Sequence, residues 1–322
     1  MCKRTSIKDS LSALAYLFIA IFIVVSPVSA GTNDHPLKLS IRLSGEAGFI
    51  LVGDINTGLR TFNNNPAFKE IRKTNPTWAS LEGNIETLNG LFANSEAELR
   101  IDFLRKFGLG IAVSGARINR RTESFLRFIN IYDSSLSFIY EYSYEPEIMT
   151  SAPYKVTLYY YWRQGAKASI YFNCGVGYYK GKMSEQFDTR SYDDPLTLNM
   201  WGKRHWETEW KSTIGFHVGA GMELQMGRKL RIFTELQGRY ARIGNFRAIQ
   251  QYETSHPVYE ETTGWLYYFT KENLHVYGVR HADLTVWEVP PDYSVEFIED
   301  VRKARLDFSG VSLKVGVRLI LF

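Results

Sequence analysis

Cysteine is scarce in this chain: only Cys2 and Cys174 occur among 322 residues. Two cysteines exclude a disulfide-stabilised scaffold and a cysteine-rich metal site. An excess of one charge sign is also lacking, because the net charge is only +4, which argues against nucleic acid as the main partner. Beyond residue 30 no run reaches the roughly 18 apolar residues that a membrane-spanning helix needs. The sequence therefore predicts that the mature chain is not a helical membrane protein.

The start of the chain has the three-part pattern of a secretory signal peptide. A basic beginning is followed by an apolar run over 11–25 and then by small residues up to Ala30. We therefore predict an export signal over 1–30 and a single mature domain over 31–322. A retained membrane anchor is the alternative.

The mature chain is dominated by apolar and polar residues that alternate with a period of two, the pattern of half-buried β-strands. Near the end of the chain, for example, Val311, Leu313 and Val315 share one face, while Ser312 and Lys314 share the other. Eight segments show this pattern, and each has about the ten residues that a tilted strand needs to cross a bilayer. The eight segments are 37–53, 95–105, 107–119, 154–163, 169–178, 213–225, 230–240 and 311–321.

The connections between these segments are alternately short and long. Tight turns are predicted near 105–107, 164–167 and 226–229, and the other four connections have about 28 to 65 residues. The four long connections are 55–94, 120–153, 184–211 and 244–308. Both termini and all short turns then fall on one side, the asymmetry of outer-membrane barrels. We predict an all-β fold: an eight-stranded antiparallel up-and-down transmembrane β-barrel with four long extracellular loops.

Alternation alone does not state which face points outward. A soluble lipocalin-type barrel is also exported and eight-stranded, but it places its apolar face inside. The length of the segments and the asymmetry of their connections favour apolar side chains on the outside. The glycines on the polar face favour the same arrangement, because a narrow lumen needs small residues among larger ones.

The last strand segment carries a family resemblance. Lys314 and Gly316, followed by Leu319, Leu321 and the final Phe322, resemble the closing strand of bacterial outer-membrane proteins, although Phe322 lies one residue beyond the usual spacing. This resemblance implies recognition by the barrel-assembly machinery. The mature chain as a whole resembles the OmpA/OmpX-like superfamily of small barrels, with expanded loops. That resemblance implies location in the bacterial outer membrane, with outer-membrane lipid and lipopolysaccharide as partners.

The polar face of the predicted strands carries charges of both signs. An eight-stranded barrel is just filled by its own side chains, and enclosed charges must pair or stay hydrated. We therefore expect a lumen plugged by charge pairs, with a small gated pore as the alternative. The predicted network contains Arg42, Glu46, Glu98, Arg100, Asp102, His217, Glu223, Glu235, Arg239, Lys314 and Arg318, and its face also carries Glu96, Lys155 and Arg231.

Catalytic, cofactor and metal motifs do not stand out. The glycine pairs at 108–110 and 175–177 fall inside strands, whereas a dinucleotide site needs them at a strand-to-helix turn. The histidines of the long connections lack a metalloprotease spacing, and the serines near His205 form no recognisable catalytic arrangement. We predict a non-enzyme without a cofactor, with an envelope-structural role or surface binding through its loops, and we expect 250–300 to be dispensable for folding. The alternatives are a narrow diffusion pore and an outer-leaflet lipid-modifying enzyme.

Overall fold

A computed structural model describes most of residues 31–322. The described residues are 37–64, 66–74, 76–77, 79–103, 106–114, 117–133, 136–165, 167–194, 197–255, 258–273, 279–290 and 298–322. The predicted signal peptide over 1–30 lies outside them. Within these ranges, neither helix has the length and apolar character needed to cross a bilayer.

The described part of the chain contains two helices and seventeen strands, and all of the strands belong to one antiparallel sheet. The predicted all-β fold is thereby confirmed. The helices are α1 (Asp54–Asn63) and α2 (Pro66–Thr74). The strands are β1 (Lys38–Gly53), β2 (Ala79–Asn84), β3 (Leu91–Phe103), β4 (Phe107–Ser114), β5 (Arg117–Arg121), β6 (Ser124–Asp133), β7 (Leu136–Gln164), β8 (Ala168–Asp194), β9 (Thr197–Thr208), β10 (Lys211–Gln225), β11 (Leu230–Tyr240), β12 (Arg242–Gly244), β13 (Arg247–Thr254), β14 (Tyr259–Asn273), β15 (Val279–Trp287), β16 (Ile298–Lys303) and β17 (Arg305–Ile320).

Eight of these strands pair in a ring that returns to its first member. The order is β1, β3, β4, β7, β8, β10, β11 and β17, and β17 pairs with β1 again. We call these eight strands the ring. A closed ring leaves no strand edge with unpaired backbone groups.

Side chains alternate between the two faces of the ring, because successive side chains of a strand point to opposite sides, with register shifts at Ile50/Val52 in β1 and at Ser151/Tyr154 and Tyr161/Arg163 in β7. On β1, Leu43 points outward and is 53% exposed, whereas its neighbour Arg42 points inward and is 4% exposed. On β17, Val315 is exposed and Lys314 is buried in the same way. Soluble proteins have the opposite distribution, with apolar side chains inside and charges outside.

The described parts of the four long connections form helices and strands, where the sequence predicts long loops. β7 and β8 extend well beyond the ring as a hairpin of 29 and 27 residues, and β9, β13 and β14 continue the sheet from β8. The predicted segments 154–163 and 169–178 therefore cover only part of β7 and β8. Elsewhere in the long connections residues are buried on both faces, as over 266–269 in β14, so the period of two is lost there.

A buried apolar cluster lies where the long connections meet the ring. Asn56 fixes α1 there through hydrogen bonds with both the backbone nitrogen and the carbonyl of Leu88. The cluster draws on the ends of ring strands and on the long connections alike, so it packs these parts of the chain together. Its main members are Ile50, Val52, Ile55, Leu88, Phe92, Ile148, Tyr179, Met183, Trp206, Ile243, Phe246, Leu266, Leu284, Val286, Leu306 and Phe308.

Candidate functional site

The interior of the ring is the candidate site, because all eleven predicted lumen residues lie on its inner face. Ten of them are buried and Asp102 is partly buried. They come from β1, β3, β10, β11 and β17, and β7 adds Lys155. Three clusters follow one another from the short turns towards the long connections.

The first cluster, nearest the short turns, surrounds Glu223. Its carboxylate lies 3.0 Å from Arg318, 3.2 Å from Arg231 and 3.5 Å from Arg100. Asp102 contacts Arg100 at 2.9 Å and also pairs with Arg318. Three guanidinium groups therefore share two carboxylates, and Glu223 contacts all three. We call these five residues the Glu223 cluster.

The second cluster is built on Arg42. Its guanidinium lies 3.2 Å from both Glu98 and Glu235. Tyrosine hydroxyls complete the hydrogen bonds of the carboxylates: Tyr159 donates to Glu98 at 2.6 Å and Tyr171 donates to Glu235 at 2.9 Å. A single cation thus holds two acids, and Tyr159 satisfies the Glu98 oxygen that Arg42 does not contact, as buried polar groups require.

The third cluster combines three cations with two acids. Glu96 lies 2.7 Å from Lys155 and 2.8 Å from Lys314, and Glu46 pairs with Arg239 and lies 3.5 Å from Lys155. All five side chains are buried. This cluster adjoins the apolar one, since the Arg239 guanidinium carbon lies 4.5 Å from the centre of the Phe92 ring.

Aromatic rings fill the space between the ions, and charge counting alone missed them. Tyr159, Tyr161 and Tyr171 form a buried cluster of their own, and the Arg100 guanidinium lies 3.6 Å from the centre of the Tyr159 ring. Stacking of this kind favours a cation that has lost its water. The available signal was the placement of these tyrosines on the polar face of the predicted strands.

Glycines of the inner face make room for the larger polar side chains. A β-carbon at Gly110 would lie 2.6 Å from Cδ of Glu98. One at Gly175 would lie 2.6 Å from Nε2 of His217, which is itself 3.0 Å from the Thr157 hydroxyl. The hydrogen-bond partner of His217 is therefore a hydroxyl group rather than one of the carboxylates of the predicted network.

The predicted assembly signal is divided between the two faces of β17. Lys314 and Gly316 lie on the inner face, where a β-carbon at Gly316 would come within 2.8 Å of the Phe233 ring. Leu319 points outward and is exposed, and beyond the end of the strand Leu321 is partly exposed and Phe322 is exposed. Recognition of these residues by an assembly machinery stays a prediction.

A further, partly buried ion cluster lies outside the ring, where the sequence suggested none. Arg204 of β9 contacts Glu185 of β8 at 3.1 Å and Asp283 of β15 at 2.8 Å, and the Trp206 indole donates to Glu185 at 3.2 Å. Burial raises the pKa of the Glu185 carboxyl, and the charge of Arg204 only partly opposes that rise. The cluster ties β8, β9 and β15 together.

Metal ligands are not grouped in the part of the chain that the structure describes: no three His, Cys, Asp or Glu side chains there could hold an ion together. The histidines His256 and His275 of the fourth long connection lie outside the described residues.

Comparison with known proteins gives similar solved structures but no family. No protein-family model and no curated protein matches the chain. The outer membrane protein OprG from Pseudomonas aeruginosa is similar over 88% of this chain and 95% of its own, with 9% identity and a TM-score of 0.33. CarO from Acinetobacter baumannii is similar over 76% and 97%, with 12% identity and a TM-score of 0.27. The outer membrane protease OmpT from Escherichia coli is similar over 89% and 96%, with 5% identity and a TM-score of 0.26. Because these TM-scores are low, the location and role of this chain must be argued from its own geometry.

Proposed function

We propose that this chain is a bacterial outer-membrane β-barrel with eight transmembrane strands. The observation that carries the proposal is the distribution of side chains on the ring, with apolar residues exposed outside and ion pairs buried inside. In water an exposed apolar belt of this extent is unfavourable, whereas in a bilayer it is solvated by lipid. Ring closure supports the same conclusion, because every strand that crosses a bilayer must have its backbone groups paired.

We further propose that the lumen is plugged and does not conduct. Seven cations and six acids face the interior, and each of the thirteen takes part in at least one ion pair. A selective pore needs a ring of one charge sign or an open path, and these mixed pairs provide neither. The apolar cluster at the end of the ring adds a second barrier to water and ions.

The role of the protein is then structural in the envelope, or lies in surface binding through the long connections. These connections form the part of the sheet that extends beyond the ring, and they present exposed charged and aromatic side chains such as Tyr259 and Trp210. Exposed aromatic side chains are common in binding surfaces. On this proposal the long connections are extracellular and the short turns face the periplasm.

Gel mobility of the outer-membrane fraction, unboiled against boiled, tests the barrel and its location. The proposal predicts a band in that fraction whose mobility changes on boiling, because closed barrels resist detergent until heated. Planar-bilayer recording of the purified protein tests the plugged lumen, and no unitary current steps are expected. Recovery in the soluble periplasmic fraction without a mobility shift would contradict the membrane barrel, and regular unitary steps would contradict the plug.

A further inference from the structure

At the end of the ring that carries the short turns, the exposed charged side chains among the described residues are all cations. Six exposed cations lie on the three turns and the adjoining strand ends, and we call them the basic collar. Among the described residues at this end, the nearest acids are Asp102 and Glu223, and both are engaged with arginines of the interior. The basic collar consists of Lys38, Lys106, Arg163, Lys167, Arg228 and Lys229.

The opposite end of the molecule does not share this bias. There, exposed acids such as Glu82, Glu253 and Glu261 accompany the cations, and surface pairs such as Lys182–Glu207 join the two signs. The weak net charge of the whole chain therefore conceals a strong local excess at the short turns.

The basic collar lies next to the exposed apolar side chains on the outer face of the ring. Trp162, Met226 and Phe322 lie beside it and are 64%, 63% and 68% exposed. Lys229 extends along the rim, with its ammonium group 3.3 Å from the Leu321 carbonyl. Cations one or two residues from an apolar surface lie at the depth of lipid headgroups when that surface is in a bilayer.

We propose that the basic collar binds the phosphate headgroups of anionic glycerophospholipids in the leaflet that surrounds the short turns. The inference rests on the proposed membrane barrel and adds a specific lipid partner to it. Lysine or arginine at a membrane surface attracts anionic lipid by about fivefold per residue in close contact. Because the collar is spread around the ring, no single lipid meets all six cations, and we expect an average preference of about threefold for lipids in direct contact with the protein.

Spin-label electron paramagnetic resonance on the full mature chain measures this preference. The protein is reconstituted in phosphatidylcholine vesicles with a trace of spin-labelled phosphatidylglycerol or spin-labelled phosphatidylcholine, and the immobilised fraction of each probe is compared. We expect about a threefold preference for phosphatidylglycerol that weakens as salt rises, because surface charges are screened over about 8 Å at physiological ionic strength. No preference in the wild-type protein at low salt would overturn the proposal, and the collar would then be free for a different anionic partner.

Charge-neutral variants then locate the effect. The triple substitution Lys106→Gln, Lys167→Gln and Lys229→Gln leaves Lys38, Arg163 and Arg228 in place, so it should lower the preference from about threefold to below about twofold. The matched control removes three exposed lysines at the other end of the molecule, and it should retain the wild-type preference. An equal loss in both variants would contradict a site at the short turns. The control substitutions are Lys69→Gln, Lys73→Gln and Lys203→Gln.

A heat-dependent gel shift of each sample separates failure of this inference from failure of the proposed function. A protein that reconstitutes and shows the shift but has no lipid preference contradicts only the collar. A protein that shows no shift contradicts the membrane barrel itself.

Discussion

Replacing Glu223 by glutamine should destabilise the ring more than any neutralisation of an exposed acid. Glu223 contacts Arg100, Arg231 and Arg318, and its side chain has no exposed surface. Without its charge, the three guanidinium groups keep only Asp102 as an acidic partner in the Glu223 cluster. Removing one partner of a buried ion pair costs about 3–5 kcal/mol, because the remaining charge is left uncompensated. The amide keeps the shape of the side chain, so this cost reflects charge and not a cavity.

The assay is urea unfolding of the protein folded into lipid vesicles, followed by tryptophan fluorescence. Glu207→Gln is the matched control, because Glu207 pairs with Lys182 on the surface and its side chain is 53% exposed. Exposed pairs contribute about 0–1 kcal/mol, so this control should unfold nearly as the wild type does. If Glu223→Gln also lies within about 1 kcal/mol of the wild type, water must hydrate the Glu223 cluster, and the plugged lumen would be refuted.

Two further substitutions test packing and pH dependence. A β-carbon at Gly310 would lie 1.9 Å from the Phe49 carbonyl oxygen, whereas one at Gly45 would meet nothing within 4 Å. Gly310→Ala should therefore lower the free energy of unfolding by about 1–3 kcal/mol or more in the same urea assay. An equal effect of Gly45→Ala would contradict the packing argument. Burial raises the pKa of Glu185 above its ordinary value of 4.5. The protonated carboxyl group therefore stabilises the folded protein below pH 4.5, and this stabilisation is lost as the pH rises through the pKa that Glu185 has in the folded protein. Amide hydrogen exchange in β8 and β9 should accordingly become faster, relative to its intrinsic rate, from pH 4.5 upward, and Glu185→Gln should weaken that dependence; an unchanged pH profile in the variant would assign it to another group.

The orientation of side chains on the ring could be predicted from the sequence because successive residues of a strand point to opposite faces of the sheet. Leu43 and Arg42 must face opposite sides wherever β1 lies in the molecule. The ion partners could not be predicted in this way, because they depend on strand register and on distances across the interior. Glu235 and Arg239 are close in sequence, yet Glu235 pairs with Arg42 and Arg239 pairs with Glu46, both on β1.

The long connections were the least predictable part of the fold. The sequence suggests that 250–300 is dispensable for folding, but Leu266 and Leu284 of that range are buried in the apolar cluster with Ile50 and Phe308 of the ring. The structure therefore argues against that expectation: deletion would expose the apolar residues at the end of the ring. Alternation of apolar and polar residues identifies only strands with one buried face. The strands of the long connections are buried on both faces in places, so this pattern does not reveal them.

The outward face of the ring is tested most directly by Cys174, whose side chain points outward from the middle of the ring portion of β8 and is exposed. In a Cys2→Ser background, Cys174 is the only thiol of the chain. If the outer face of the ring contacts lipid, a membrane-impermeant maleimide should fail to label Cys174 in intact outer membranes, and a lipid-soluble maleimide should label it. Both reagents should label the urea-unfolded protein. Rapid labelling of the folded protein by the impermeant reagent would place this face in water and contradict the membrane barrel.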